Sequence, residues 1–190
     1  MDVISLQELL QLDIKGKVIC FPTDTVYGVG CLIDDNEAIN KIYNLKNRDK
    51  AKPLAVLTGT KEIQNYVSHV STKAKELMDL YWPGALTLVF TKSDLIPDTV
   101  TSNLTTVGLR MPNSKIALEI LNKFGLMATT SINKSGSEPL NTKEEIIEYF
   151  SKEIDYLVSD LEVTSNVSST VVDVSQDAIK VLRQGDIKII

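Results

Sequence analysis

Two hydrophobic rhythms run along this chain, one of period two and one close to 3.6, and they alternate from end to end. Ser5 and Glu8 have the spacing of a capping box and predict a short helix over 6–12. An apolar run at 17–21, ended by Pro22, predicts a buried strand. Asp34 with Glu37 predicts the start of a second helix, whose apolar positions Ala38, Ile42 and Leu45 keep helical spacing. Strands follow at 54–57, 85–90, 105–111 and 126–131, and helices at 60–67, 71–81 and 114–124, the last closed by Gly125. Thr142 with Glu145 caps a helix ending at Phe150, and strands at 156–159, 169–174 and 179–182 complete the pattern.

No repeat, low-complexity tract or linker-like stretch interrupts this alternation, which predicts a single α/β domain over residues 1–190 with strands of mixed direction. Composition removes the disordered and fibrous classes, since 43% of the 190 residues are hydrophobic and 24% are charged. No run approaches the roughly 18 apolar residues of a membrane span. The N-terminus lacks a basic region followed by an apolar stretch. A cytoplasmic protein without membrane association is therefore expected, and in that reducing setting Cys20 and Cys31 read as small core residues.

The histidine count narrows the chemistry further. His69 is the single histidine, so zinc sites built on His and Cys and HExxH metalloproteases are excluded, and no side-chain metal site is expected. A Ser-His-Asp triad would have to use His69, which sits in the polar stretch VSHVST and reads as an exposed turn residue. No GxxxxGK[ST] occurs, and Gly28-Val29-Gly30 lacks the third glycine of a dinucleotide fingerprint.

Net charge is −5, which sets the chain as a whole against polyanions. Five basic residues (Lys41, Lys46, Arg48, Lys50, Lys52) against Asp49 give 41–53 a local +4, leaving −9 elsewhere. Because Pro53 favours extended geometry before it, Lys46, Arg48, Lys50 and Lys52 would line one side of an extended run suited to a polyphosphate. The alternative is a solvated loop with scattered lysines. The same period of two places Thr106, Gly108 and Arg110 on one strand face, and Thr129, Ser131 and Asn133 on another. An arginine within an apolar strand needs an anionic partner, either a structural ion pair or a ligand.

Taken together these segments resemble the YrdC/TsaC family. The matching motifs are Pro22-Thr-Asp-Thr-Val-Tyr-Gly-Val-Gly30, Ile42-Tyr-Asn-Leu-Lys-Asn-Arg48, Lys52-Pro-Leu54 and Tyr81-Trp-Pro-Gly-Ala-Leu-Thr-Leu88. They continue with Val107-Gly-Leu-Arg-Met-Pro112, Ser131-Ile-Asn-Lys-Ser-Gly136, Ser169-Thr-Val-Val-Asp173 and Leu182-Arg-Gln-Gly185. The resemblance spans residues 17–186. It departs from the family at Ile132, at Gln184 and in the run Asn166-Val-Ser-Ser.

The resemblance implies an open, twisted, mixed sheet with flanking helices around a concave basic cleft, similar to the dihydroxybutanone-phosphate synthase fold, in the short single-domain form. It implies an L-threonylcarbamoyladenylate synthase, which joins L-threonine, bicarbonate or CO2 and ATP and releases pyrophosphate. The product serves modification of adenosine 37 in tRNA, reached directly or through the threonylcarbamoyl transferase machinery. By position, Lys46, Arg48, Ser131 and Asn133 correspond to the catalytic nucleotide-phosphate site. Lys52, Thr106 and Arg183, with Asn141 or Thr142, complete the ATP site, and Thr25, Arg110 and Ser169 hold threonine. Mg²⁺ is expected on the phosphates and water. Two other readings remain open: an ATP-dependent carbamoyl-handling relative with another acceptor, and a non-catalytic RNA-binding module.

Overall fold

The computed structural model describes residues 1–160, 165–176 and 178–189. Their strands form one sheet in the order β1 (Asp2–Ile4), β8 (Tyr156–Val158), β2 (Ile19–Phe21), β3 (Gly28–Leu32), β7 (Met127–Ser131), β4 (Ala55–Leu57), β6 (Thr106–Arg110), β5 (Leu86–Thr91), β9 (Thr170–Asp173), β10 (Lys180–Arg183). Parallel pairs (β1/β8, β2/β8, β4/β6, β5/β9) mix with antiparallel ones, as the alternating pattern predicts. The helices are α1 (Leu6–Leu9), α2 (Asn36–Lys46), α3 (Thr72–Tyr81), α4 (Asp98–Thr101), α5 (Lys115–Phe124) and α6 (Lys143–Phe150).

Period two sorts the strand side chains into two cores. Cys20, Val29, Val56, Leu88, Leu109, Ala128 and Val172 join one cluster with α2, α3 and α6. Ile19, Phe21, Leu57 and Met127, on the opposite face, pack with Leu6 and Leu9 of α1 and Ile116, Ile120 and Leu121 of α5. Both cysteines are buried and free, and burial pushes the Cys31 thiol up to about 12. The second core extends along only part of its face. Over the rest of that face, at β6, β5 and β9, the described residues that line the surface come from strands and loops and from no helix, and this half-face becomes the floor of the cavity described below.

Several local expectations change. The cap of α2 is Asp35 rather than Asp34: its Oδ1 accepts from the Ala38 N–H at 2.9 Å, and its other oxygen accepts from the Gly16 N–H. No helix forms at 60–67. There the Thr58 and Thr60 hydroxyls accept backbone N–H groups two residues on, from Thr60 and Glu62 at 3.2 and 3.1 Å, and such local bonds compete with helix. Strand β3 is one the hydrophobic pattern does not predict, because two of its five residues are glycines. A Cβ at Gly30 would lie 2.5 Å from Cγ2 of Thr129, so the close approach of β7 requires the residue that obscures the strand.

Candidate active site

A cavity of about 440 Å³ lies on the uncovered half-face. Alternate residues of the strands supply its floor: Thr106, Gly108 and Arg110 from β6, Thr87 and Val89 from β5, Thr129 and Ser131 from β7, and Val171 from β9. Their neighbours Val107, Leu109, Leu88 and Ala128 point into the opposite core. The lining carries Arg48, Arg110 and Arg183, many hydroxyls and, among the described residues, no carboxylate. In a chain of net charge −5, this is a local cationic bowl.

The predicted row of cations does not form. Helix α2 continues through Lys46, Asn47 closes it in the left-handed conformation (φ 49°), and residues 49–52 turn back, with the Lys52 N–H donating to the Asp49 carbonyl at 3.0 Å. This turn sends the basic residues in different directions. Lys50 and Lys52 are exposed, and neither lines the cavity. Arg48 does, clamped by its own turn: Nε donates to the Lys52 carbonyl at 3.1 Å and an Nη to that of Pro53 at 2.9 Å. Lys52 thus contributes its carbonyl, which also accepts from the Tyr43 hydroxyl at 3.0 Å.

Lys46 goes inward and is 1% exposed. Its ammonium donates to the Ser131 carbonyl at 2.5 Å, the Asn133 carbonyl at 3.0 Å and Asn133 Oδ1 at 2.7 Å. Burial, and then the like charge of Arg48, push this lysine down to about 7 from an ordinary 10.5. Between those values the unfolded chain holds a proton that the folded one lacks, so this group makes stability rise with pH from about 7 upward. Urea unfolding at pH 7 and pH 9 is expected to show that gain in the wild type, and Lys46→Met is expected to lose it.

Arg110 is fixed on three sides. Nε donates to the Gly84 carbonyl at 2.9 Å, one Nη to Thr25 Oγ1 at 2.8 Å and the other to Asp24 Oδ1. The side chains of Arg110 and Asp24 are 8% and 16% exposed. Arg110 therefore has a structural anionic partner and a place in the cavity wall at once. Desolvation lowers its pKa while Asp24 raises it, and a guanidinium stays charged throughout. Across the bowl, Arg183 holds Ser169 by its carbonyl (2.7 Å) and its hydroxyl (3.2 Å), and the Thr87 and Ser169 hydroxyls lie 2.8 Å apart.

Of the sequence-predicted residues, Thr25, Arg48, Thr106, Arg110, Ser131, Ser169 and Arg183 line one cavity. Lys46 and Asn133 lie buried behind it. Lys52 and Asn141 do not reach it, and Asn141 is exposed with its N–H directed to Glu145 at 3.4 Å. Ile132 is fully buried in the core, away from Ser131. Sequence reasoning missed Asp24, although it stands inside the quoted Pro22–Gly30 motif and Arg110 required an anion. It also missed Gly185, where a Cβ would sit 2.1 Å from the Ser168 carbonyl oxygen. Gly185→Ala is expected to push the end of β10 off Ser169 and lower stability by about 1–3 kcal/mol in urea unfolding.

Comparisons with known proteins agree on one family. The Sua5/YciO/YrdC family model, described as telomere recombination, matches residues 12–185. The threonylcarbamoyl-AMP synthases of Bacillus subtilis and Pyrococcus abyssi are 35% and 32% identical to this chain over 176 and 173 residues. Those matches cover 91% and 90% of this chain, which spans about half of each relative, 51% in both cases. The solved structure of P. abyssi Sua5 complexed with L-threonine superposes with a TM-score of 0.91 at 30% identity, covering 97% of this chain and 58% of that one.

Proposed function

The chain belongs to the Sua5/YciO/YrdC family, and on that premise we propose that it is a threonylcarbamoyl-AMP synthase. The observation that carries this reading is the half-uncovered sheet face, where three arginines and a set of hydroxyls meet in one cavity with no carboxylate among its described lining residues. Such a surface suits a triphosphate and an amino-acid carboxylate side by side.

In this reading Arg110 takes the carboxylate of L-threonine, while the Thr25 and Ser169 hydroxyls orient its polar groups. The free amine adds to CO2 and releases a proton to solvent, or adds to the carbon of bicarbonate with net loss of water, and gives an N-carboxylate. An oxygen of that carboxylate attacks the α-phosphorus of ATP in line and pyrophosphate leaves. No covalent nucleophile is needed, because the protein's task is positioning and charge stabilisation. Arg48, Ser131, Thr106 and Arg183 are the groups placed to hold the nucleotide. Mg²⁺ would further neutralise the phosphates. The cavity's guanidinium and hydroxyl donors suit an ion held by phosphate oxygens and water rather than by side chains.

The product would then serve tRNA adenosine-37 modification in the cytoplasm through a threonylcarbamoyl transferase. None of the described helices is long and apolar enough to cross a membrane. The deciding experiment is mass spectrometry of the product formed from ATP, bicarbonate and threonine, with pyrophosphate measured in parallel. Threonine-dependent pyrophosphate release and a threonylcarbamoyl-adenylate mass are expected. Replacing threonine by serine is expected to cost about 10–100-fold, the scale of one methyl group. Release driven by a different acceptor would assign a carbamoyl-handling relative, and RNA binding without release would assign a binding module.

A further inference from the structure

Lys46 and Lys134 reach across the same junction in opposite directions. From the end of α2, Lys46 donates to Ser131 and Asn133, as described. From the segment after β7, Lys134 returns and donates to the Leu45 carbonyl at 3.0 Å, while the Ser135 N–H donates to the Lys46 carbonyl at 2.9 Å. These bonds satisfy carbonyls at the end of α2, where cations are favoured. The helix end and the post-β7 segment thus form a reciprocal clasp. Arg48 leaves one side of it and Ser131 the other, both toward the cavity.

An ammonium has three N–H donors, and the acceptors around Lys46 are Ser131 O, Asn133 O and Asn133 Oδ1. All three are neutral oxygens: one is the backbone carbonyl of Ser131 at the end of β7, and the other two belong to Asn133 in the segment that follows. Asn133 is occupied on its other side too, because its amide donates to the carbonyls of Lys134 and Ser137 at 2.9 and 2.7 Å. The remaining link is the Ser131 hydroxyl, which donates to Asn133 Oδ1 at 2.7 Å. Since that Oδ1 also receives an N–H of Lys46, the Ser131 proton can turn to a ligand without stranding a buried acceptor.

We propose that Lys46 is a positioning residue rather than a phosphate ligand: it secures Asn133 and thereby frees the Ser131 hydroxyl to donate to the nucleotide. The proposal rests on the ATP-using reading above, and it reassigns a residue that the sequence resemblance places at the nucleotide-phosphate site.

Two measurements test it. The first is hydrogen–deuterium exchange of the ligand-free protein, which needs no catalysis. Lys46→Met is expected to speed exchange in residues 132–137, with the strands of the cavity floor unchanged. Asn133→Ala, which keeps the lysine, is expected to speed the same segment and serves if Lys46→Met fails to fold. The second is steady-state kinetics. In Lys46→Met the KM for ATP is expected to rise about tenfold while the KM for threonine stays within about twofold; a merely destabilised protein would lose active fraction and keep both constants. Lys46→Met/Asn133→Ala is expected to be no worse than the worse single variant. A raised KM for ATP with exchange unchanged would make Lys46 a direct phosphate contact and overturn the proposal, as would multiplicative effects in the double variant. If the wild type releases no pyrophosphate, the reading of function fails, and the exchange experiment with ATP affinity by calorimetry still decides the role of Lys46.

Discussion

Arg48→Ala is expected to lower threonine-dependent pyrophosphate release by about 10²–10³, the scale of losing one preorganised donor to a developing charge. The geometry explains why this arginine should matter so much. It follows a left-handed helix end, and the turn that comes next exists largely to hold it, with two backbone carbonyls fastening Nε and one Nη. Its other N–H groups are not used by those bonds, and Arg48 is one of the residues that line the cavity. The side chain is thus ordered before the nucleotide arrives, and little rotamer entropy is left to lose on binding. Arg48→Lys is expected to recover only a small part, because a single ammonium cannot hold both the turn and a phosphate. Initial rates at saturating ATP and threonine check both variants, and an unchanged rate in Arg48→Ala would remove Arg48 from the site.

Arg110→Met is expected to fail in two separable ways. Removing the guanidinium leaves Asp24 without its ion-pair partner in a largely buried place, at a cost of about 3–5 kcal/mol in unfolding free energy. It also removes the group proposed to read the substrate carboxylate, so threonine should no longer stimulate pyrophosphate release. Adding Asp24→Asn separates the two. The double variant is expected to recover much of the stability, since an amide can be buried more cheaply than a lone carboxylate, and none of the threonine response. Recovery of both would mean that Arg110 is only a structural half of an ion pair.

The floor of the site could be read from the sequence because strand geometry is simple. Period two alone groups Thr106, Gly108 and Arg110, and separately Thr129, Ser131 and Asn133; the structure turns them to one cavity except Asn133, which lies past the end of β7 and is buried. The capping boxes at Ser5/Glu8 and Thr142/Glu145 were equally plain, since both halves of each motif lie within one turn. The basic run misled, because its period of two means something only in an extended segment. Here a helix continues one residue further and reverses at Asn47. The 60–67 segment misled in another way: Ile63 and Val67 have helical spacing, yet hydroxyl-to-backbone bonds just before them prevail. The Asp24–Arg110 pair joins residues 86 apart in sequence, and nothing local announces such a partnership.

The sheet keeps its stability and its chemistry on different residues of the same strands. Val107, Leu109, Leu86 and Leu88 are locked into the core on the opposite face, while Gly108, Thr87, Val89 and Val171 line the bowl. Selection, natural or in the laboratory, can therefore revise the second set without renegotiating the first. Libraries confined to those floor positions should change which amino acid is accepted while leaving most members folded, a freedom that a site enclosed by helices on every side would not have.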